Sequence, residues 1–189
     1  MLYLYLLIFS IAVGIIRKGK YQNLTQISLQ KVELILAAFL IQVILVFLAS
    51  RQIKLIIHYG NFLFIFSYLI LLIAVWYNYE LKGMNLIFLG ILLNFIVIFF
   101  NGGHMPVLME SLNQVGLDSF ARSLQDGDSI THILINHKTL FKFLADVIPL
   151  PPPFPDPSVI SIGDFLMFCG IFIFIQEVMT AKKEEEKEF

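Results

Sequence analysis

Charged residues are scarce in this chain of 189 residues: Asp, Glu, Lys and Arg make up 14%, and the formal net charge is −1. Soluble domains carry about a quarter charged residues, so the composition argues against a soluble protein. The small net charge and the lack of a basic stripe exclude a nucleic-acid partner. Cysteine occurs once, at Cys169, which excludes an intrachain disulfide.

Recognisable catalytic and metal motifs are also missing. The sequence contains no G-x-S-x-G, no H-E-x-x-H and no P-loop, and we expect no cofactor. No two histidines show H-x-x-x-H spacing, since His132 and His137 are five residues apart, and we therefore expect no metal site. The sequence does not identify an activity by itself.

Hydrophobic residues, by contrast, make up 58% of the chain and are gathered into five runs. The runs are residues 2–16, 32–49, 62–77, 84–100 and 159–175. Each run approaches the roughly 20 residues that a helix needs to cross a bilayer. None shows the polar face that a helix of a soluble protein would need. The sequence therefore predicts an all-α polytopic membrane protein with about five transmembrane helices.

Positive charges predict how the helices are threaded. With the N-terminus outside, the short inner segments hold eight Lys and Arg residues against two in the short outer segments. The basic residues 17–20 follow the first run rather than precede it, which indicates a retained anchor. We expect one transmembrane domain over residues 1–180 in the bacterial plasma membrane, with a charged cytoplasmic tail at 181–189.

An outer loop over residues 106–158 is too long to be a plain turn. Its pattern predicts short helices at 107–116 and 117–129, with Pro106 in the first turn of one and Asp118 or Ser119 capping the other. Three further features are expected: an amphipathic surface helix at 136–148, a polyproline II strap at 149–158, and a break at 58–61 with Asn61 capping the third helix.

The stretch NGGHMPV, residues 101–107, ends the fourth run. Gly102 and Gly103 fit the ordinary C-cap of a helix. Together with Asn101 they also fit a nest of backbone N–H groups that binds an anion, and one interpretation does not exclude the other. His104 could serve in acid–base chemistry or contact a lipid headgroup.

Two aspartates share the predicted outer side with this stretch. Asp164 lies in SIGD, which fits a capping box in which Ser161 is the N-cap. Asp146 has no such structural explanation and is the stronger candidate for a partnered or ligand-binding acid. His132, His137 and Asp156 lie on the same side, while the mid-helix amides Gln42 and Asn94 are typical of interhelical hydrogen bonds.

Several motifs resemble a bacterial family known as domain of unknown function 5317. They are NGGHMPV, the stretch LADVIPLPPPFPDPSVISIGD at 144–164, and the opening IAVGIIRKGKYQNL at 11–24. The resemblance implies a small multi-pass membrane protein and no assigned activity. The family's motif positions fall on the following residues: Asn101, Gly102, Gly103, Met105, Pro106, Asp146, Pro149, Gly163 and Asp164. His104 falls on a variable position.

These observations favour a binding or scaffold module embedded in the lipid bilayer, whose outer loop engages a membrane protein partner or a lipid headgroup. One alternative is an enzyme acting on a lipid-linked substrate at the outer face, with Asp146 and Asp164 as acids. A transporter or channel subunit is the other, and the lack of intramembrane charge weakens it. The candidate ligand-binding residues are Asn101, Gly102, Gly103, His104, Asp146 and Asp164.

The predicted threading has a direct test. A cysteine placed at Gln125 should react with a membrane-impermeant thiol reagent on intact cells, because the loop would lie outside. Absence of labelling would contradict the orientation.

Overall fold

A computed structural model describes residues 2–51 and 53–181, so the predicted tail lies outside the described residues except for Ala181. The described chain is mostly helical. Five long helices dominate it: α1 Leu2–Ile16, α2 Val32–Ser50, α3 Lys54–Trp76, α4 Met84–Phe100 and α7 Ile162–Thr180. Two short helices, α5 Met109–Gln114 and α6 Asp118–Asp126, lie between α4 and α7.

Three stretches are long and apolar enough to cross a membrane: Val32–Ala49 in α2, Tyr59–Trp76 in α3 and Ile162–Thr180 in α7. Two shorter apolar helices, α1 with 15 residues and α4 with 17, accompany them. The predicted helical class is confirmed, and three of the five predicted spans reach spanning length on their own. The surface agrees with a membrane setting, because α2 leaves Leu36 and Val43 63% and 64% exposed.

The closest helix pair is α4 with α7, and glycine makes it possible. A Cβ on Gly90 would collide with the carbonyl oxygen of Gly163, and a Cβ on Gly170 would lie 2.6 Å from the carbonyl oxygen of Gly83. Small residues let two helix backbones approach closely, which is the usual way that helices pack in membranes. The pairing of 83 with 170 and of 90 with 163 makes the two helices antiparallel.

Helix α1 packs on the other side of α7 and runs parallel to it. Tyr3 contacts Phe168 near the start of α7, with ring centroids 5.1 Å apart, whereas Gly14 lies against Met179 near its end. Helix α2 packs on α3, and α3 packs on α4. The helices therefore follow one another across the bundle in the order α2, α3, α4, α7, α1.

Residues 101–161 form a compact unit at the end of the bundle where α7 begins, and we call this unit the crown. It contains α5, α6 and four strands, which pair as two short sheets. The strands are β1 Met105–Val107, β2 His132–Leu134, β3 Ile148–Leu150 and β4 Ser158–Ile160. β1 and β2 are parallel, and β3 and β4 are antiparallel. A small apolar core of Val107, Leu112, Ala121 and Leu124 holds the crown together.

The expected amphipathic helix at 136–148 is wrong. Asn136 and Thr139 form a tight turn, since the Asn136 side chain accepts the Lys138 N–H at 2.8 Å and the Thr139 hydroxyl accepts the Asn136 N–H at 2.9 Å. Phe141 then adopts a left-handed conformation with φ 52°, which a continuous helix does not allow. Only a 3-10 turn at Lys142–Leu144 follows.

The expected proline-rich strap is also corrected in part. Its ends are strands β3 and β4, which pair Pro149 with Val159, so this segment is a hairpin. Pro106 lies in strand β1 rather than in the first turn of a helix. Proline at this position costs the sheet little, because Pro106 lacks an N–H but its carbonyl still accepts the Asp146 N–H at 2.9 Å.

Helix boundaries differ from the sequence interpretation at α3 and α6, whereas the start of α7 agrees with the predicted N-cap Ser161. Helix α3 begins at Lys54 and continues through residues 58–61, so Asn61 does not cap it. Gly60 is tolerated in that helix because it is buried close to Leu45 and Ile130. Helix α6 agrees with the predicted second loop helix, but its N-cap is Leu117, which makes no side-chain capping bond. Helix α7 starts at Ile162 because the preceding residues form β4.

The close approach of α4 and α7 predicts a sharp difference between two glycine substitutions. Gly90→Ala should lower thermal stability in detergent by several degrees, because the new methyl group meets the Gly163 backbone and forces the helices apart. Gly60→Ala is the matched control, since the nearest atom to its new Cβ is Ile56 Cγ2 at 3.4 Å. That variant should be neutral or more stable. Equal effects of the two substitutions would contradict the packing described here.

Candidate functional site

Asn101, Gly102 and Gly103 end α4 in a hydrogen-bonded C-cap. Gly102 and Gly103 adopt φ values of 70° and 87°, and the Gly103 N–H donates to the Ile98 carbonyl at 2.9 Å. This six-residue closure is the Schellman motif, which needs a residue with positive φ after the helix. Gly103 also lies against Asn61, where a Cβ would approach the Asn61 Cβ to 2.6 Å. The C-cap interpretation of these glycines is therefore confirmed.

The anion-nest interpretation of the same residues stays a prediction, and the geometry does not favour it. The N–H groups of Asn101, Gly103 and His104 already donate to backbone carbonyls. Burial lowers the pKa of His104, against the opposing effect of the nearby backbone of Asn101 and Gly102. His104 is thus held as part of the turn.

The Asn101 side chain ties the crown to α4. Its amide group donates to the Val97 carbonyl at 2.7 Å and to the Leu140 carbonyl at 3.0 Å, and its oxygen accepts the Leu140 N–H at 3.0 Å. A single side chain thereby satisfies both backbone groups of a residue 39 positions away. This contact explains why residues around Leu140 do not form the expected helix.

The predicted capping box at the start of α7 is confirmed. The Ser161 hydroxyl accepts the Asp164 N–H at 2.9 Å, and the Asp164 carboxylate accepts the Ser161 N–H at 3.0 Å. Asp164 does more than cap the helix, because its other oxygen accepts from Asn94 at 3.0 Å and from the Tyr3 hydroxyl at 3.2 Å. Asn94 also accepts from the Ser161 hydroxyl at 2.8 Å. Asp164 thus joins α1, α4 and α7 at the crown end of the bundle.

Asp146 occupies the centre of the crown, and its backbone is fixed there by β1. The Asp146 N–H donates to the Pro106 carbonyl, and the Asp146 carbonyl accepts the Leu108 N–H, both at 2.9 Å. The residues before it, Leu144 and Ala145, are buried, and Asp146 is itself only 6% exposed. No structural partner for this acid could be identified from the sequence, and the structure places it inside the protein.

The Asp146 carboxyl group is incompletely satisfied. Among the described residues, its Oδ1 has no hydrogen-bond partner, and its Oδ2 lies 3.8 Å from His132 Nε2, which is too far for a hydrogen bond. Burial, reinforced by the charge of Asp164, raises the pKa of Asp146 well above its ordinary value. A buried polar group without a partner is costly, so an orphaned oxygen here points to a ligand or an ordered water.

His132 lies next to Asp146 in the structure. The sequence predicted only that the two residues lie on the same side of the membrane. Burial lowers the pKa of His132 to about 4, so the imidazole is neutral at physiological pH. The His132 Nδ1 is 2.8 Å from the Thr131 hydroxyl, and its ring meets Phe120 edge to face. His132 is therefore neutral, and the raised pKa of Asp146 favours its protonated form, so the two side chains do not form an ion pair.

The titratable groups that act on Asp146 or His132 include two other predicted candidates, Asp164 and His104. Asp164 lies close enough to His132 and Asp146 for their charges to interact. His137 is exposed, and Asp156 is half-buried in the loop between β3 and β4. Within residues 2–51 and 53–181, no three His, Cys, Asp or Glu residues are arranged to hold a metal ion. The arrangement suits hydrogen bonding to a neutral or donor-rich ligand.

The opposite end of the bundle, where α7 ends, is built from side chains that close helix termini. The Asn23 side chain donates to the carbonyls of Val178, Met179 and Ala181, and Arg17 donates to the Gln176 side chain at 3.1 Å. These contacts account for the Arg and Asn of the opening motif as structural residues.

A groove of about 880 Å³ opens between the ends of α3 and α4, near Gln30, Trp76 and Glu80, well away from Asp146. Its exposed aromatic residues are typical of the interfacial belt of a membrane protein. We therefore place the candidate functional site in the crown rather than in this groove.

The raised pKa of Asp146 predicts how stability depends on pH. Between the ordinary pKa of 3.8 and the raised value, the folded protein keeps a proton that the unfolded chain releases. Its stability should therefore fall as pH rises, by at most about 1.4 kcal/mol per pH unit. Asp146→Asn cannot ionise, so its Tm should increase relative to wild type from pH 5 to pH 8. The exposed Asp126→Asn variant is the control, and parallel pH profiles for wild type and Asp146→Asn would contradict the burial of an uncharged Asp146.

Comparison with known proteins gives a family and no activity. The chain is 35% identical over 108 residues to an uncharacterised protein of Thermotoga maritima, and the match covers 57% of this chain and 59% of that protein. No solved structure matches the fold. The sequence profile of a family of unknown function, DUF5317, matches residues 26–176, which include the crown, Asp146 and Asp164. The chain belongs to this family, DUF5317.

Proposed function

We propose that this protein is an integral membrane binding module that crosses the bacterial plasma membrane five times and holds a ligand in its crown, on the outer side. The helix directions support five spans, because α1 and α7 run parallel while α4 runs against α7. In a chain that crosses the membrane five times, the first and fifth spans run in the same direction and the fourth runs against them. The excess of Lys and Arg near the opposite end supports an N-terminus outside.

The observation that carries the binding proposal is the orphaned Oδ1 of Asp146. The backbone of Asp146 is held by hydrogen bonds to Pro106 and Leu108, and its side chain is buried, so the carboxyl group stays inside the crown. A preformed, buried oxygen that lacks a partner is free to accept a hydrogen bond from a ligand. The unfavourable desolvation free energy of this oxygen is then offset only when the ligand is bound.

The surroundings favour a ligand with hydrogen-bond donors. The charge of Asp164 acts on this region and the neighbouring His132 is neutral, so an anion would be repelled rather than attracted. A hydroxyl or ammonium group of a lipid headgroup meets the requirement. A donor side chain of a membrane protein partner is the second source of the same chemistry.

A second candidate function, an enzyme acting on a lipid-linked substrate, is favoured by one specific feature. A carboxyl group whose pKa is raised by burial, such as that of Asp146, can act as a general acid, and a second carboxyl group, that of Asp164, is near enough to act on it. The Asp146→Asn variant separates the two functions. An amide keeps a hydrogen-bonding group for a ligand but cannot transfer a proton, so an enzyme would lose turnover while a binding module would keep its ligand.

The binding proposal predicts which molecules co-purify with the protein. After gentle extraction, mass spectrometry of wild type should detect a bound lipid or protein that is reduced at least tenfold in Asp146→Leu, because the leucine offers no acceptor. The exposed Asp126→Leu variant should retain the ligand at the wild-type level. Identical co-purifying lipids and proteins in all three samples would contradict the proposal, and the chemical identity of the molecule decides between headgroup and protein partner.

A further inference from the structure

The crown does not simply sit on top of the bundle, because α4 extends beyond the start of α7. Asn94 is level with Ser161, the N-cap of α7, as their hydrogen bond of 2.8 Å shows. The remaining residues of α4, 95–100, therefore rise about 9 Å past the beginning of α7. These residues, FIVIFF, are all apolar. The crown fills the space beside them, over the start of α7.

One segment of the crown continues the apolar surface of α4. Asn101 holds Leu140 against the end of α4 through two hydrogen bonds of 3.0 Å. A ladder of aromatic rings runs from Phe95 to Phe99, Phe100 and Phe141, with centroid separations of 5.7, 5.5 and 5.2 Å. The ladder therefore crosses from the helix onto the crown without a break.

The side chains of this segment face outward. Leu140, Phe141 and Phe143 are all exposed, and Phe143 is 65% exposed. The next residues, Leu144 and Ala145, turn inward and lead directly to buried Asp146. Phe141 reaches this arrangement with a positive φ of 52°, which is unfavourable for a bulky residue. Such strain persists only where the surrounding structure holds the backbone in place, as the hydrogen bonds between Asn101 and the neighbouring Leu140 do here.

We infer that residues 140–143 dip into the hydrocarbon of the outer leaflet, beside Phe99 and Phe100 of α4. The occupant of this surface is lipid acyl chain rather than a protein, because the segment is continuous with the apolar outer turns of α4. Lys138 precedes the segment and Lys142 lies within it, between Phe141 and Phe143; both are exposed, and their long side chains can extend towards the headgroup phosphates. Because the segment that enters the lipid ends three residues before Asp146, it brings the candidate site to the edge of the leaflet.

This inference rests on the proposed membrane location and narrows the ligand of the crown. A site that is reached beside lipid acyl chains suits a ligand that is itself anchored in the leaflet. The hydrogen-bond donor that meets Asp146 then belongs to a lipid headgroup, presented at the depth of the outer turns of α4. The exposed aromatic segment would not contribute to the binding of a water-soluble ligand.

Site-directed spin labelling measures the depth of the segment directly. Single cysteines at Phe143, Val43 and Gln125, in a Cys169→Ala background, are labelled and reconstituted in vesicles of phosphatidylethanolamine and phosphatidylglycerol. Collision with oxygen, which concentrates in hydrocarbon, is compared with collision with a water-soluble nickel chelate. Val43 on α2 is the control for membrane insertion, and Gln125 on α6 is the control for the water-exposed part of the crown.

We expect Phe143 to resemble Val43, with oxygen collision favoured at least severalfold over the nickel chelate, and Gln125 to show the reverse. Access of the chelate to Phe143 would overturn the inference in favour of a water-facing segment. Shielding of Phe143 from both reagents would overturn it in favour of a protein contact. A water-facing Val43 would instead overturn the membrane location on which the proposed function depends, so the two failures are distinguishable.

Discussion

The contact between Asn94 of α4 and the Ser161–Asp164 turn of α7 is the interaction on which the rest of the structure depends. Asp164 accepts hydrogen bonds from Ser161, Asn94 and Tyr3, so one carboxylate joins three helices. Gly163 leaves room for this contact, since a Cβ there would collide with the Asn94 side chain. The level at which α7 begins is thereby set relative to α4, and the space for the crown follows from it.

The crown occupies that space and buries the carboxyl group of Asp146, whose Oδ1 has no hydrogen-bond partner among the described residues. Asn101 holds its segment near Leu140 on α4, while β1 holds Asp146 from the opposite side. Between these two anchors the chain has little freedom, and the carboxyl group remains with one oxygen unpaired. A protein selected for stability alone would gain by replacing such a residue with an apolar one. Keeping the acid in this place is consistent with a binding role.

Local signals in the sequence predict part of this arrangement. The capping box at Ser161 and Asp164 is predictable because its bonds join residues three apart, and the same holds for the glycine C-cap after Asn101. The long apolar runs identify the helices. The stretch 58–61 resembles a break in the sequence, but α3 continues through it because Gly60 is packed inside the bundle. Residues 136–148 have helical periodicity but do not form a helix, because Leu140 is hydrogen-bonded to Asn101, 39 residues earlier in the chain. Three-residue strands such as β1 and β2 leave no periodic signal in the sequence. Because β1 holds Asp146, the burial of Asp146 could not be predicted from the sequence either.

Infrared spectroscopy tests the central claim, that the crown holds Asp146 buried and uncharged. At neutral pH the purified protein should show the carbonyl stretching band of a protonated carboxyl group. The band should disappear in Asp146→Asn and persist in Asp126→Asn. A neutral-pH spectrum without this band, or a band that Asp146→Asn leaves unchanged, would contradict the account.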